Sequence, residues 1–223
     1  MSTNTQQTLE IGFRKQKHLS ICADPSRFSV EGGNPGFSAV RFLHQALPEV
    51  EERSVDPGVD FLGRRIPYPL FISCMTGGSD QGFQVNRELA RAAQLTGLPV
   101  GMGSIRVLFE RPELAPHFRL KPLAPDVPVL ANIGGAQLLR EDHRLLLDWV
   151  ARLEADALAV HLNPGQELFQ PEGDRDFRGI RAAIARLCAA SPVPVIVKET
   201  GFGIGPASVR ELLERGAAYV DLA

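Results

Sequence analysis

Four hydrogen-bonding side chains fall within seven residues in His161-Leu162-Asn163-Pro164-Gly165-Gln166-Glu167, directly after the apolar run at 157–160. Burying such groups is unfavourable unless they bind a ligand or one another. This stretch is therefore the leading candidate for chemistry, and a purely structural polar cluster is its alternative. Lys198-Glu199 ends another apolar run. A lysine carried into a buried mouth needs an anion, which is either Glu199 itself or a bound phosphate. Gly103-Ser104-Ile105-Arg106 sets a hydroxyl beside a guanidinium, a pairing that suits phosphate as well as a solvated loop. In Met75-Thr76-Gly77-Gly78-Ser79 the glycines allow a ligand close to backbone N–H groups, or else form a tight turn with Ser79 as a helix cap. Arg14-Lys15-Gln16-Lys17-His18 is a basic patch unless an anion such as a diphosphate recruits it as a lid. His44, His117 and His143 have no comparable setting and read as surface or packing residues.

Other motifs fail. Gly201-Phe202-Gly203-Ile204-Gly205-Pro206 sits as a dinucleotide fingerprint would, but proline holds the third required glycine position, so the run reads as a flexible loop. P-loop, zinc-protease and serine-hydrolase patterns are absent.

The elements that position these residues are legible as short apolar runs at 70–75, 98–103, 127–132, 157–162, 194–198 and 219–222. Each has the length of a strand buried on both faces. Helical patterns cover 86–96, with Gly97 at its end, 143–154, 179–190, and 208–215 before Gly216. A short helix is expected over 39–46 and a loop over 22–37, whereas 104–127 reads as mainly irregular. Alternating strands and helices predict an α/β fold with a parallel sheet. Thr76, Ser104, Asn132, His161, Asn163, Lys198 and Glu199 stand at the carboxyl ends of the strands. A (β/α)8 TIM barrel is preferred over a doubly wound open sheet, because polar residues follow nearly every strand rather than one switch point. Only six of the eight strands are accounted for, so the barrel is incomplete over 55–223 or the sheet is not closed.

The chain has 223 residues, 44% of them hydrophobic and 22% charged, enough to bury a core without staples. A net charge of −2 argues against a nucleic-acid binder that relies on bulk positive charge. No apolar run reaches membrane-spanning length, and the polar residues 1–10 read as a disordered tail rather than a signal peptide. Three cysteines without metal-ligand spacing suit a reducing cytoplasm.

Taken together, the chain resembles the type 2 isopentenyl-diphosphate isomerases from about Arg14 onward. The resemblance rests on Arg14-Lys15-x-x-His18, His44-x-Ala46-Leu47-Pro48-Glu49, Phe61-Leu62-Gly63-Arg64, Met75-Thr76-Gly77-Gly78, Gly103-Ser104-x-Arg106 and Asn132-Ile133-Gly134. It continues in His161-Leu162-Asn163-Pro164-x-Gln166-Glu167, in Gln170-Pro171-Glu172-Gly173-Asp174-Arg175-Asp176, and in Lys198-Glu199. It implies an FMN-dependent barrel enzyme that interconverts isopentenyl and dimethylallyl diphosphate, with Mg2+ on the diphosphate and NADPH as reductant. It also implies a cytoplasmic homo-oligomer acting on a small molecule, with no nucleic-acid or membrane partner. Met75, Thr76, Gly77, Ser104, Asn132 and Lys198 match positions that hold FMN. Arg14, Lys15, His18, Arg106, His161, Asn163 and Gln166 match positions near the substrate, and residues 11–54 would cover it. Gln166 and His161 are the catalytic candidates, and Glu167 matches the metal ligand.

Two departures stand out. Ile105 replaces the family's usual glutamine, and the family's glycine-rich G-G-T segment and last two strands do not occur by Ala223. An amide such as Gln166 is a poor acid or base alone, so the proton chemistry is expected at the reduced flavin, with Gln166 relaying or positioning. The competing readings are an FMN-dependent oxidoreductase on the same barrel and a non-catalytic fragment.

Overall fold

The computed structural model describes residues 19–29, 36–171 and 173–222. Arg14, Lys15, His18 and the expected tail over 1–10 lie outside the described residues. An antiparallel hairpin, β1 (Val59–Phe61) and β2 (Arg64–Ile66), comes first. Then follow α1 (Asp80–Thr96), β3 (Val100–Gly101), β4 (Val129–Gly134), α2 (His143–Arg152), β5 (Ala157–His161) and α3 (Pro164–Phe169). The described chain closes with α4 (Ile180–Ala190), β6 (Val195–Lys198), α5 (Pro206–Glu214) and β7 (Tyr219–Asp221).

Strands β3 to β7 form one parallel sheet whose spatial order is their sequence order. The run at 70–75 joins its near edge only through a parallel bridge from Ile72 to Val100. An open doubly wound sheet reverses its order at a switch point. No reversal occurs here, so the sheet is the wall of a partial barrel, with α-helical connections from β4 onward and 3-10 segments between β3 and β4.

The outward face carries the core. Val129, Ala131, Ile133, Leu158, Val160, Val195 and Val197 pack with Leu146, Trp149, Val150 and Leu153 of α2 and its C-cap, and with Ala183, Ile184 and Leu187 of α4. The spacing of the α2 stripe puts those side chains on one helical face. Burial of each large aliphatic contributes about 1.5–3 kcal/mol. Helix α1 starts six residues earlier than the expected 86–96 pattern. Ser79 caps it by accepting from Gly82 N, so the apolar periodicity alone could not reveal that first turn.

The inward face is built differently. At its amino end Leu130, Ala157 and Ile196 meet Phe61 and Leu62 of the hairpin. The hairpin turns through Leu62 and Gly63, both at positive φ (51° and 72°), the geometry of a type I′ turn. Leucine is unfavourable there, and burial against the sheet floor offsets the strain. The Phe61 ring meets Tyr219 edge-on at 5.1 Å, tying the hairpin to the far strand.

Two expectations are corrected, and one element is additional. Residues 40–50 are irregular after a short 3-10 turn at Phe37–Ala39, so the helix over 39–46 does not form. Large apolar side chains there, Phe42 and Leu43 among them, are exposed and lack the core contact that would fix a helix. The irregular connection at 104–127 contains three 3-10 segments, Ile105–Phe109, Pro112–His117 and Lys121–Leu123. Its prolines and its buried Phe118 and Leu120 account for that winding without a full helix. The hairpin was not anticipated, because three-residue strands carry too little periodicity. Among the described residues, no helix is long and apolar enough to cross a membrane.

Candidate active site

Strand register places the inward side chains in rows. One row holds Asn132, Ala159, Ile196 and Tyr219, and the next toward the carboxyl ends holds Gly134, His161, Lys198 and Asp221. Above them opens a cleft of about 370 Å³. It gathers Met75, Ser104, Arg106, Asn132, His161, Asn163, Gln166, Glu167 and Lys198 from separate strand ends. Thr76 and Gly77 do not line it. The Thr76 carbonyl instead accepts from Gly103 N and from Asn86 Nδ2, which fixes the loop after the first run. Gly77 packs against Phe118, where a Cβ would fall 2.5 Å from the ring.

His161 Nδ1 lies 2.7 Å from Asn132 Oδ1, a diagonal contact between adjacent strands that fixes the ring. Asn163 Nδ2 donates to Gln166 Oε1 at 3.1 Å and to Glu167 Oε1 at 2.8 Å. The other Glu167 oxygen accepts from Asp174 N at 2.9 Å. Proline at the first position of α3 starts the helix that brings Gln166 and Glu167 forward.

The segment after α3 explains the second half of the sequence motif. A Cβ at Gly173 would stand 1.9 Å from the Glu167 carbonyl oxygen, so only glycine lets the chain fold back so closely. Arg175 then donates to the carbonyls of Glu167, Leu168 and Gln170 at the helix end. Asp174 forms an ion pair with Arg140. These contacts pin Glu167 from behind.

The pairing of Lys198 with the Glu199 carboxylate is corrected. Neighbouring residues of a strand point to opposite faces. Lys198 Nζ donates to the Glu199 carbonyl oxygen at 2.5 Å and stands 3.9 Å from Asp221 Oδ2. Glu199 Oε2 accepts from the backbone N–H groups of Thr200, Gly201, Phe202 and Gly203 at 2.6–3.2 Å. The loop read as flexible is wound around a buried carboxylate.

Sequence reasoning missed Cys74, Gln137 and Asp221, all on or beside the inward rows. Only the strand register, which sequence does not give, puts Asp221 beside Lys198. The Cys74 thiol packs on Gly101, and burial pushes its pKa up to about 11 against weaker opposing effects of Asn132 and Lys198. Burial also raises the Glu141 carboxyl above its ordinary value, with Arg106 opposing.

Two absent groups can be tested against these residues. Glu167 has each carboxylate oxygen engaged by one N–H donor, which leaves acceptor capacity for a cation. Among the described residues no group of three or more His, Cys, Asp or Glu could cage a metal. One carboxylate fits Mg2+ that draws its other ligands from phosphate and water. For a flavin, the small Ala159 side chain leaves room on the inward face, and the buried Lys198 supplies a cation beside it. Both groups fit.

An isopentenyl-diphosphate delta-isomerase of Synechococcus is 45% identical over 214 residues, covering 94% of this chain and 60% of the relative. Those of Borrelia garinii and Halobacterium salinarum are 41% and 42% identical, covering 94% and 98% of this chain and 58% and 61% of theirs. The chain thus spans about three-fifths of the length of the curated relatives it matches. No family model matches. Among solved structures, a protein described as a lactate oxidase of Pediococcus acidilactici superposes with a TM-score of 0.55 at 16% identity, over 79% of this chain and 52% of that one. A mandelate oxidase variant carrying a C4a-hydroxy-FMN adduct gives 0.50 at 18% identity, over 81% and 54%. These likenesses concern the fold.

Proposed function

We propose that this chain carries out the isopentenyl-diphosphate isomerase reaction in its type 2 form, with reduced FMN and Mg2+. The observation that carries this reading is the meeting of Arg106, His161, Asn163, Gln166 and Glu167 with Lys198 in one cleft. Relatives named for that activity, 41–45% identical over nearly the whole chain, support it.

Moving the double bond needs a proton added at one terminal carbon and another removed two carbons away, past a centre of positive charge. Arg106 and His161 hold the diphosphate, with Arg14, Lys15 and His18 completing its shell and residues 11–54 covering it. Glu167, held by Asn163 and by Asp174 N, takes Mg2+ against the same diphosphate. Met75, Thr76, Gly77, Ser104, Asn132 and Lys198 hold the flavin, Thr76 and Gly77 through the shape of their loop. When bound in reduced form, with NADPH as its reductant, the flavin supplies a protonatable nitrogen and an electron-rich face that stabilises positive charge. Gln166 orients the alkene or relays a proton, because its amide cannot itself serve as the acid. The enzyme works as a cytoplasmic homo-oligomer.

The test is turnover of isopentenyl diphosphate by the whole protein with dithionite-reduced FMN and Mg2+, followed by proton NMR. Dimethylallyl diphosphate should accumulate without net consumption of reductant. No product refutes the reading, and stoichiometric consumption of reductant would mark an oxidoreductase instead.

A further inference from the structure

Gln137 lines the cleft and is only 6% exposed. It lies in the 3-10 turn Ala136–Leu139, just after β4, on the side of His161. Its amide oxygen rests over the α-carbon of Gly134, where an added Cβ would stand 1.8 Å from Gln137 Oε1 and 3.0 Å from His161 Nε2. Glycine at 134 thus lets the amide and the imidazole share one patch of the wall. Among the described residues the Gln137 side chain has no hydrogen-bond partner. The amide is not sealed in: the buried unpartnered side-chain atoms among the described residues belong to Thr76, His117 and Trp149, so the Gln137 amide opens to the cleft, where water or a ligand satisfies it.

We propose that Gln137 is a ligand-contacting residue of the cleft: its amide N–H groups donate to the oxygen anion held by His161. This rests on the reading of the site as a diphosphate site. The neighbours decide the class of ligand. Arg106 brings its guanidinium and His161 its imidazole to the same cleft, which suits an oxygen-rich anion, whereas both Asn163 amide hydrogens are already given to Gln166 and Glu167. With its oxygen lodged against Gly134, Gln137 has only its donor end left for that anion.

The experiment compares Gln137→Leu and Gln137→Glu in the whole protein. Calorimetric titration with inorganic pyrophosphate in the presence of Mg2+ should show affinity reduced about tenfold in the leucine variant, the usual effect of losing one such hydrogen bond. The glutamate variant should bind more weakly still, because a carboxylate repels the anion. KM for isopentenyl diphosphate should rise in parallel, with FMN affinity unchanged. Pyrophosphate affinity and KM unchanged in both variants would overturn the proposal. So would a loss of FMN affinity alone, which would assign Gln137 to the flavin, or a lowered Tm alone, which would make it structural. Because the pyrophosphate titration needs no turnover, it still tests Gln137 if the isomerase reaction itself is not observed.

Discussion

The two ends of the parallel sheet treat polar groups in opposite ways. At the amino ends, Asp156 Oδ2 accepts from Lys121 Nζ and from Val129 N, both at 2.7 Å, while its other oxygen stands 3.8 Å from Arg64. Beside it the hairpin seals the inward face with Phe61 and Leu62. At the carboxyl ends, polar side chains are held in place yet retain capacity. Glu167 is fixed by two N–H donors with lone pairs to spare, and Gln137 has no protein partner among the described residues. Polar groups at the floor are satisfied within the protein and serve stability. Those at the mouth are positioned for something else to satisfy them.

The sharpest way to break this division is to disturb what both ends share. Leu158→Ala opens a cavity in the outward core and should cost about 2–5 kcal/mol in denaturant unfolding, leaving flavin stoichiometry of the folded fraction intact. At the floor, Asp156→Asn should remove about 1.5–3 kcal/mol of stability, because a charged acceptor of two N–H donors is lost. Isomerase activity per folded molecule should not change. If that activity falls, the floor is not purely structural.

At the mouth the signs reverse. Glu167→Gln should shift stability by no more than about 1 kcal/mol, since its exchanged bonds are few and partly exposed. It should raise the Mg2+ concentration for half-maximal activity at least about tenfold. An unaltered Mg2+ response removes the metal assignment. The smallest effect concerns reactivity. Burial holds the Cys74 thiol up, to a pKa of about 11, so iodoacetamide at pH 8 should modify exposed Cys22 much faster, as peptide mass spectrometry would show. The sign also reaches stability: a raised thiol pKa favours the fold below the ordinary cysteine range, and that advantage fades as pH climbs toward 11. Rapid alkylation of Cys74 at pH 8 would contradict its burial on the inward face.

Much of this division was legible in the sequence. The six apolar runs correspond to five strands and a bridged edge, and of the polar residues after them Ser104, Asn132, His161, Asn163 and Lys198 converge while Thr76 and Glu199 do not. Apolar runs and local polar clusters are one-dimensional signals, so they survive without coordinates. Partners set by register are not. Asp221 beside Lys198 and Cys74 against Gly101 each depend on which strand lies next to which, and Gln137 over Gly134 depends on how the chain turns after β4. Adjacency in sequence misled for Lys198 and Glu199, since alternation along a strand separates neighbours that look paired. The Gln170–Asp176 motif was recognisable as a pattern, but its purpose emerged only once Arg175 and Gly173 were seen bracing α3 from behind.

The carboxylate of Glu199 has one more consequence. Its oxygen already saturates the amide hydrogens of the glycine-rich crook between β6 and α5, so that crook is electrically quenched. A phosphate approaching it would meet a resident negative charge instead of vacant donors. The run that most resembles a nucleotide cradle is therefore the part of the rim least able to hold one.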